Sequence, residues 1–315
     1  MTSRNLPFQH RRRLLLALAG ACMPVTAPLA AAGGARRLNV VATTGMLGDA
    51  IRQIAGERAT VTDLMGPGVD PHTYRQTRSD IARLTRADLV VHHGLRLEAQ
   101  LDKLLQDLGR RKPVVALAEA IPKAHLLTDE AHAEHFDPHV WMDPGLWRFV
   151  AEAARDTLVR LDPEGRSAYE AGTTRYLAEL AALDQRCKVL LSRVPPEHRV
   201  LVTAHDAFRY FGRANGYEVL GIQGVSTESE AGLRRVEELV DTLVRRRITA
   251  IFVETSVSDQ NIRALIEGAA ARGHKVRIGG ELYSDAMGAP GTREGTYIGM
   301  IEHNAATIAQ ALTAP

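Results

Sequence analysis

Cysteine is almost missing from this chain of 315 residues, which has only Cys22 and Cys187. So few thiols can build neither a disulfide framework nor a cysteine-rich zinc finger. Aromatic residues make up 5% of the chain. Beyond residue 32 no segment combines them with a dense Lys/Arg patch, so the footprint of a nucleic-acid binder is absent. The run Arg245-Arg246-Arg247 ends a helical pattern and reads as a charge cluster complementing the helix dipole. There is no P-loop, no dinucleotide fingerprint and no nucleophile elbow, and Gly66-Pro67-Gly68 is a turn too short to cradle phosphate. The apolar run at 14–29 is broken by Pro24 and Pro28 and falls short of the ~20 residues a membrane span needs.

That run has another use. Arg4, Arg11, Arg12 and Arg13 precede it, no acid lies among residues 1–32, and Ala30-Ala31-Ala32 offers a small-residue cleavage site. This is the layout of a secretory signal peptide, so a periplasmic location is expected. Acylation at Cys22 is the less favoured alternative, because Ala19-Gly20-Ala21-Cys22 lacks the usual leading Leu. Removing residues 1–32 leaves 35 of the 39 basic residues against 37 acids, so the basic character of the precursor disappears. Cys187 is then the one remaining thiol, and its place on an apolar helix stripe marks it as a small buried hydrophobe.

The remaining length suits two domains better than one. Strand-like runs at 38–42, 61–64, 89–93 and 114–117 alternate with helical patterns at 47–54, 79–86 and 97–108. After a break the alternation resumes, with strands at 200–203, 218–222, 250–253 and 275–278 and helices at 207–215, 233–247, 260–272 and 298–312. Such alternation implies parallel sheets. Between the halves Thr173, Tyr176, Leu180, Leu183, Cys187, Leu190 and Val194 recur in a four-three pattern on one helix face. Asp162-Pro163-Glu164 is expected to open this helix and Pro195-Pro196 to close it. The fold expected is α/β: two (β/α)4-type parallel-sheet lobes at 33–160 and 197–315, joined by one long backbone helix at 161–196 and preceded by the signal peptide at 1–32. A coiled-coil dimer seam competes for the stripe, but a spine packed against both lobes, in a monomer, is favoured.

Ligands of open parallel sheets bind beyond the carboxyl ends of the strands. His72, His139, His205 and Asp285 each lie in a short polar motif beside an apolar run, in DPHTYR, FDPHVWMDP, LVTAHDAF and ELYSDAMG. None is a metal signature by spacing. Together they supply three imidazoles and a carboxylate, two from each half, which is a complete set for one borderline-soft divalent cation in the interlobe cleft. Deprotonation of the imidazoles would make binding weaken as pH falls through roughly 6.5.

The strings GPGVDPHTYRQT, DPHVWMDP, TAHDAFRYF, GIQGVSTESEAG, ELYSDAMGAPGT and EGTYIGMIEHN, in this order, resemble the cluster A-I solute-binding proteins of metal-importing ABC transporters, the TroA-like and ZnuA-like family. The resemblance implies two lobes on a backbone helix, a Zn2+ or Mn2+ ion as cargo, and delivery to an ABC membrane permease. The family's four ligand positions fall on His72, His139, His205 and Asp285. Manganese-selective members often carry Glu where this chain has His205, and typical zinc importers have a long His-rich loop where residues 123–137 hold only His125, His132 and His135.

Other polar residues admit ordinary readings. His92 and His93 are expected to be loop histidines rather than accessory ligands. His132 and His135 could capture metal, or belong to a solvated loop. Glu254 and Asp206 are candidates for holding an imidazole tautomer, Asp206 alternatively for capping a helix. Asp70 and Asp143 read as turn and cap residues, and Trp141 and Trp147 as packing. A secreted zinc metallohydrolase is the competing function, with the three histidines as ligands and Asp285 or Glu254 as base.

Overall fold

Apolar β-branched runs build the first sheet. Leu38–Ala42 (β1), Ala59–Asp63 (β2), Leu89–His92 (β3) and Val114–Ala116 (β4) pair in the order β2-β1-β3-β4, all parallel. Val40, Val41, Val90 and Val91 are fully or almost fully buried on both faces, which is why LNVVA and LVVH read as continuous rather than alternating patterns. The computed structural model describes residues 36–129 and 131–313. The expected signal peptide and Cys22 therefore lie outside the described residues.

Helices Gly45–Ala55 (α1), Arg78–Arg86 (α2) and Asp102–Gly109 (α3) connect these strands. Thr77 and Asp80 form a reciprocal capping box that starts α2. The third helix begins later than its pattern at 97–108 suggested. Leu95 and Arg96 adopt positive φ, and the buried Glu98 carboxylate accepts the N–H groups of His93 and Gly94 at 2.7 and 3.2 Å and the Thr43 hydroxyl at 2.6 Å. Glu98 is thus drawn inward to satisfy a tight loop, and a short 3-10 turn at Ala99–Leu101 precedes the helix.

Two helices span the middle. Pro144–Leu161 (α4) was not anticipated, although Asp143 caps it by accepting from Gly145 N–H at 2.8 Å and Pro144 occupies its first turn. Arg166–Leu191 (α5) is the long helix. It starts after the expected Asp162, because Pro163–Gly165 forms a separate 3-10 turn while Asp162 accepts from Arg58 Nε at 2.8 Å and the Tyr169 hydroxyl at 2.6 Å. Tyr176, Leu180, Leu183 and Cys187 are buried as the stripe required, as is Val194 just past the helix, while Leu191 rather than Leu190 is covered in the last turn. The stripe packs against α1, α4 and the C-terminal helix Tyr297–Thr313 (α9), so elements of both halves cover it and no exposed seam is left along it. Gly172 is where α5 meets α1: a side chain there would collide with the Ile54 backbone.

The second half has Val200–Thr203 (β5), Glu218–Gly221 (β6), Ala250–Glu254 (β7) and Arg277–Leu282 (β8). They pair in parallel as two ladders, β5-β6 and β7-β8, with β5 alongside β7. β8 extends to Leu282, past the 275–278 expected, and a register shift opposite Ile251 and Phe252 breaks its apolar pattern. Arg209–Asn215 (α6), Leu233–Arg246 (α7) and Gln260–Ala271 (α8) supply the helical cover.

Candidate metal centre

Four loops at the carboxyl ends of strands, or entering α4, converge. The loop after β2 carries His72, and Asp70 Oδ1 accepts its backbone N–H at 2.8 Å. The Asp-Pro-His sequence repeats at His139, where Asp137 Oδ1 accepts the backbone N–H at 2.9 Å and also lies 2.8 Å from ring Nδ1. His205 follows β5 directly. Glu254, at the end of β7, accepts its backbone N–H at 2.9 Å through Oε1 and bonds its Nδ1 at 2.6 Å through Oε2. Asp285 follows β8, and beside it Ser284 C=O accepts the Trp141 indole N–H at 2.8 Å, joining the last loop to the His139 loop.

With Nδ1 of His139 and His205 committed to carboxylates, each ring points Nε2 inward. His139 Nε2 lies 3.3 Å from the Nε2 atoms of both His72 and His205. Asp285 Oδ1 is 3.4 Å from His139 Nε2, and its Oδ2 is 3.3 Å from His205 Nε2. Donor atoms of all four residues lie within 4.8 Å of one another, and the four side chains are buried. Four donors about 2.0–2.1 Å from a tetrahedral cation are about 3.3–3.4 Å apart, and the two 3.3 Å separations from His139 Nε2 to the other imidazoles match that, while the Asp285 distances end on two different oxygens. Asp285 Oδ1 is buried without a hydrogen bond, an unmet acceptor that a cation would satisfy.

The electrostatics carry the same tension. Burial pushes His72 down to about 4. Burial also works against a charged His139, but the Asp137 and Asp285 carboxylates outweigh it and raise this imidazole to about 9. His205 is likewise driven well above its usual range, with Asp285 and Glu254 overcoming burial. Asp285, despite burial, is held well below the normal carboxylate range by His205 and His139. Cation-free, the pocket offsets its carboxylates with protons; a divalent cation can take their place.

All four residues singled out in the sequence are brought together, and Glu254 is where an imidazole-orienting acceptor was expected. Asp206 is neither that nor a cap. Helix α6 begins three residues later without a side-chain cap, and Asp206 pairs with Arg209 at 3.7 Å. Sequence reasoning missed Asp137, although the repeated Asp-Pro-His motif was its signal. His93 lies in the loop just past β3 but is buried rather than solvated: its Nε2 bonds Pro138 C=O at 2.7 Å, and it packs on Trp141 and Trp147. Burial holds it down at about 4, so the neutral ring braces the residue preceding His139. Cys187 is buried with its thiol pushed up to about 12, as an inert core residue should be. Among the described residues no helix is long and apolar enough to cross a membrane.

Comparison with known proteins leads to the same chemistry. The family model described as "Zinc-uptake complex component A periplasmic" matches residues 40–311. The manganese-binding lipoprotein MntA of Bacillus subtilis is 46% identical over 277 residues, 88% of this chain and 90% of that protein. The zinc-binding protein TroA of Treponema pallidum is 46% identical over 273 residues, 87% of this chain and 88% of that one. The solved structure of the periplasmic zinc-binding protein TroA from Treponema pallidum superimposes with a TM-score of 0.85 at 44% identity, covering 88% of this chain and 99% of that one. With a family model matched from β1 to α9 and relatives this similar along nearly their whole length, the chain belongs to the zinc-uptake complex component A (ZnuA) family of periplasmic proteins.

Proposed function

We propose that this protein captures a divalent transition metal, Zn2+ or Mn2+, outside the cytoplasm and delivers it to the membrane permease of an ABC importer. One observation carries the reading: three inward-facing imidazole nitrogens and one carboxylate, from four distant segments, surround a buried point. His72, His139, His205 and Asp285 are the ligands, and residues 33–160 and 197–315 act as lobes on the 161–196 spine of a monomer. The three imidazoles, with His139 Nε2 3.3 Å from each of the other two, favour Zn2+. Both Asp285 oxygens face imidazole nitrogens, which permits bidentate coordination and the higher coordination number that suits Mn2+. The names of MntA and TroA, one manganese-binding and one zinc-binding at equal identity, support a site open to both ions.

The site residues support the hydrolase alternative less well. Asp285 belongs to the donor set, and both oxygens of Glu254 are taken up by His205, so neither is free to activate water. Several relatives are named lipoproteins, which moves the anchor reading towards Cys22 acylation and away from cleavage at Ala32; the mass of the processed N-terminus distinguishes the two. The function is tested by metal analysis and thermal melting of residues 33–315. One tightly held equivalent and a metal-dependent rise in Tm are expected, with the rise lost in His139→Ala and Asp285→Ala. Retention of the full rise in both variants, or ester turnover by the metal-loaded protein, would refute it.

A further inference from the structure

The string GIQGVSTESEAG carries none of the four ligands, yet its loop at 222–232 touches the surroundings of two of them. It leaves β6 beside His205, where Gln223 N–H donates to Ala204 C=O at 3.0 Å and Asp206 N–H donates to Gly224 C=O at 3.2 Å. It then meets the first half. The Thr227 hydroxyl donates to Asp70 Oδ2 at 2.5 Å, and Gln100 Nε2 donates to Glu228 Oε1. Both ends of the second bond are exposed, so water competes for it, whereas the first is partly buried on a charged acceptor. Asp70 is the link to the metal centre, because its Oδ1 accepts the backbone N–H of His72 at 2.8 Å. His139 and His205 are each gripped by a carboxylate at both the backbone N–H and Nδ1. Asp70 grips His72 at the backbone N–H. His72 is thus the least restrained imidazole of the three, and a cavity of about 190 Å³ reaches it past Val225, Ser226 and Glu228 of the same loop.

We propose that Thr227 and Asp70 are positioning residues for metal exchange: their hydrogen bond latches the 222–232 loop onto the His72 loop, and the cation enters and leaves past His72 when that bond opens. An ion held by four separate segments can escape only after one of them moves, and the segment with the weakest hold moves first. Neither Thr227 nor Asp70 belongs to the donor set, so breaking their bond lowers the barrier to opening and leaves the four donors in place. The role in exchange rests on the proposed capture function; the latch itself does not.

Two measurements on the unaltered protein, T227V and T227S separate these. Hydrogen exchange of the chelator-treated protein reads the latch without any metal: exchange over residues 66–77 should quicken in T227V, which lacks the hydroxyl, and stay near the unaltered rate in T227S, which keeps it. Equal exchange in all three proteins overturns the latch, whatever the cargo. Zn2+ release into excess EDTA is then followed by stopped-flow fluorescence, because Trp141 meets His139 edge-on with ring centroids 5.1 Å apart. Loss of one hydrogen bond to a carboxylate should make T227V release Zn2+ about tenfold faster, with T227S restoring the slow rate. Release from T227V at the unaltered rate, or equally fast release from T227S, overturns the role in exchange.

Discussion

Proton displacement is the sharpest consequence of the buried centre. Coordination needs the Nε2 lone pairs of all three histidines. His72, pushed down to about 4, is already neutral at pH 7, whereas His139, raised to about 9, and His205, raised well above its usual range, both carry protons there. Loading at pH 7 should therefore release about two protons, and apparent affinity should climb with pH, by about 10-fold per unit from His139 alone up to about 9 and more steeply with His205 included. This moves the expected window upward from 6.5, the value for a free imidazole, because Asp137, Glu254 and Asp285 stabilise the imidazolium forms. Linkage gives the matching sign for stability. The folded pKa of His139 lies above its unfolded value, so its contribution of about 3 kcal/mol to the metal-free protein is fully present below pH 6.5 and lost as pH rises through about 9. The metal-induced rise in Tm should accordingly widen between pH 6.5 and 9. Calorimetry of Zn2+ binding at pH 7, in buffers of differing ionisation enthalpy, counts the protons. Release near two supports the electrostatic account, and release near zero refutes it.

Further outcomes follow from the surrounding residues. Glu254→Gln and Asp137→Asn keep the ligands but weaken the carboxylate hold on the rings, and should each reduce metal affinity by about 10–100-fold in competition titrations. Gly172→Ala forces apart the α1–α5 contact and should cost about 1–3 kcal/mol in denaturant unfolding while leaving metal stoichiometry unaltered. With α5 packed against helices from both halves, metal binding should change the radius of gyration little in small-angle scattering; a large compaction would contradict the spine reading.

Much of this was legible in the sequence because parallel strands are buried on both faces. The run VLVT ends where polar residues begin, and His205 lies just past that end, whereas His72 and Asp285 follow the less apolar strands β2 and β8. The four-three pattern of α5 survived for the same reason: its stripe is core. What escaped depends on contacts between distant segments. Asp137 is an ordinary turn residue until its carboxylate meets the His139 ring, and His93 looks like a solvated loop residue until Trp141 and Trp147 enclose it. The start of α5 moved because Asp162 is engaged by Arg58 and Tyr169, and the latter is on α5 itself. Helix α4 went unrecognised although Asp143-Pro144 announces it, since no strand precedes it to complete the β/α alternation.

The central claim is that four distant side chains share one cation. Anomalous diffraction at the zinc edge from crystals grown with Zn2+ tests it directly. The strongest peak should lie about 2.0–2.1 Å from Nε2 of His72, His139 and His205 and from a carboxylate oxygen of Asp285. A strongest peak elsewhere, or one from which any of these four donors stands apart, would contradict the account.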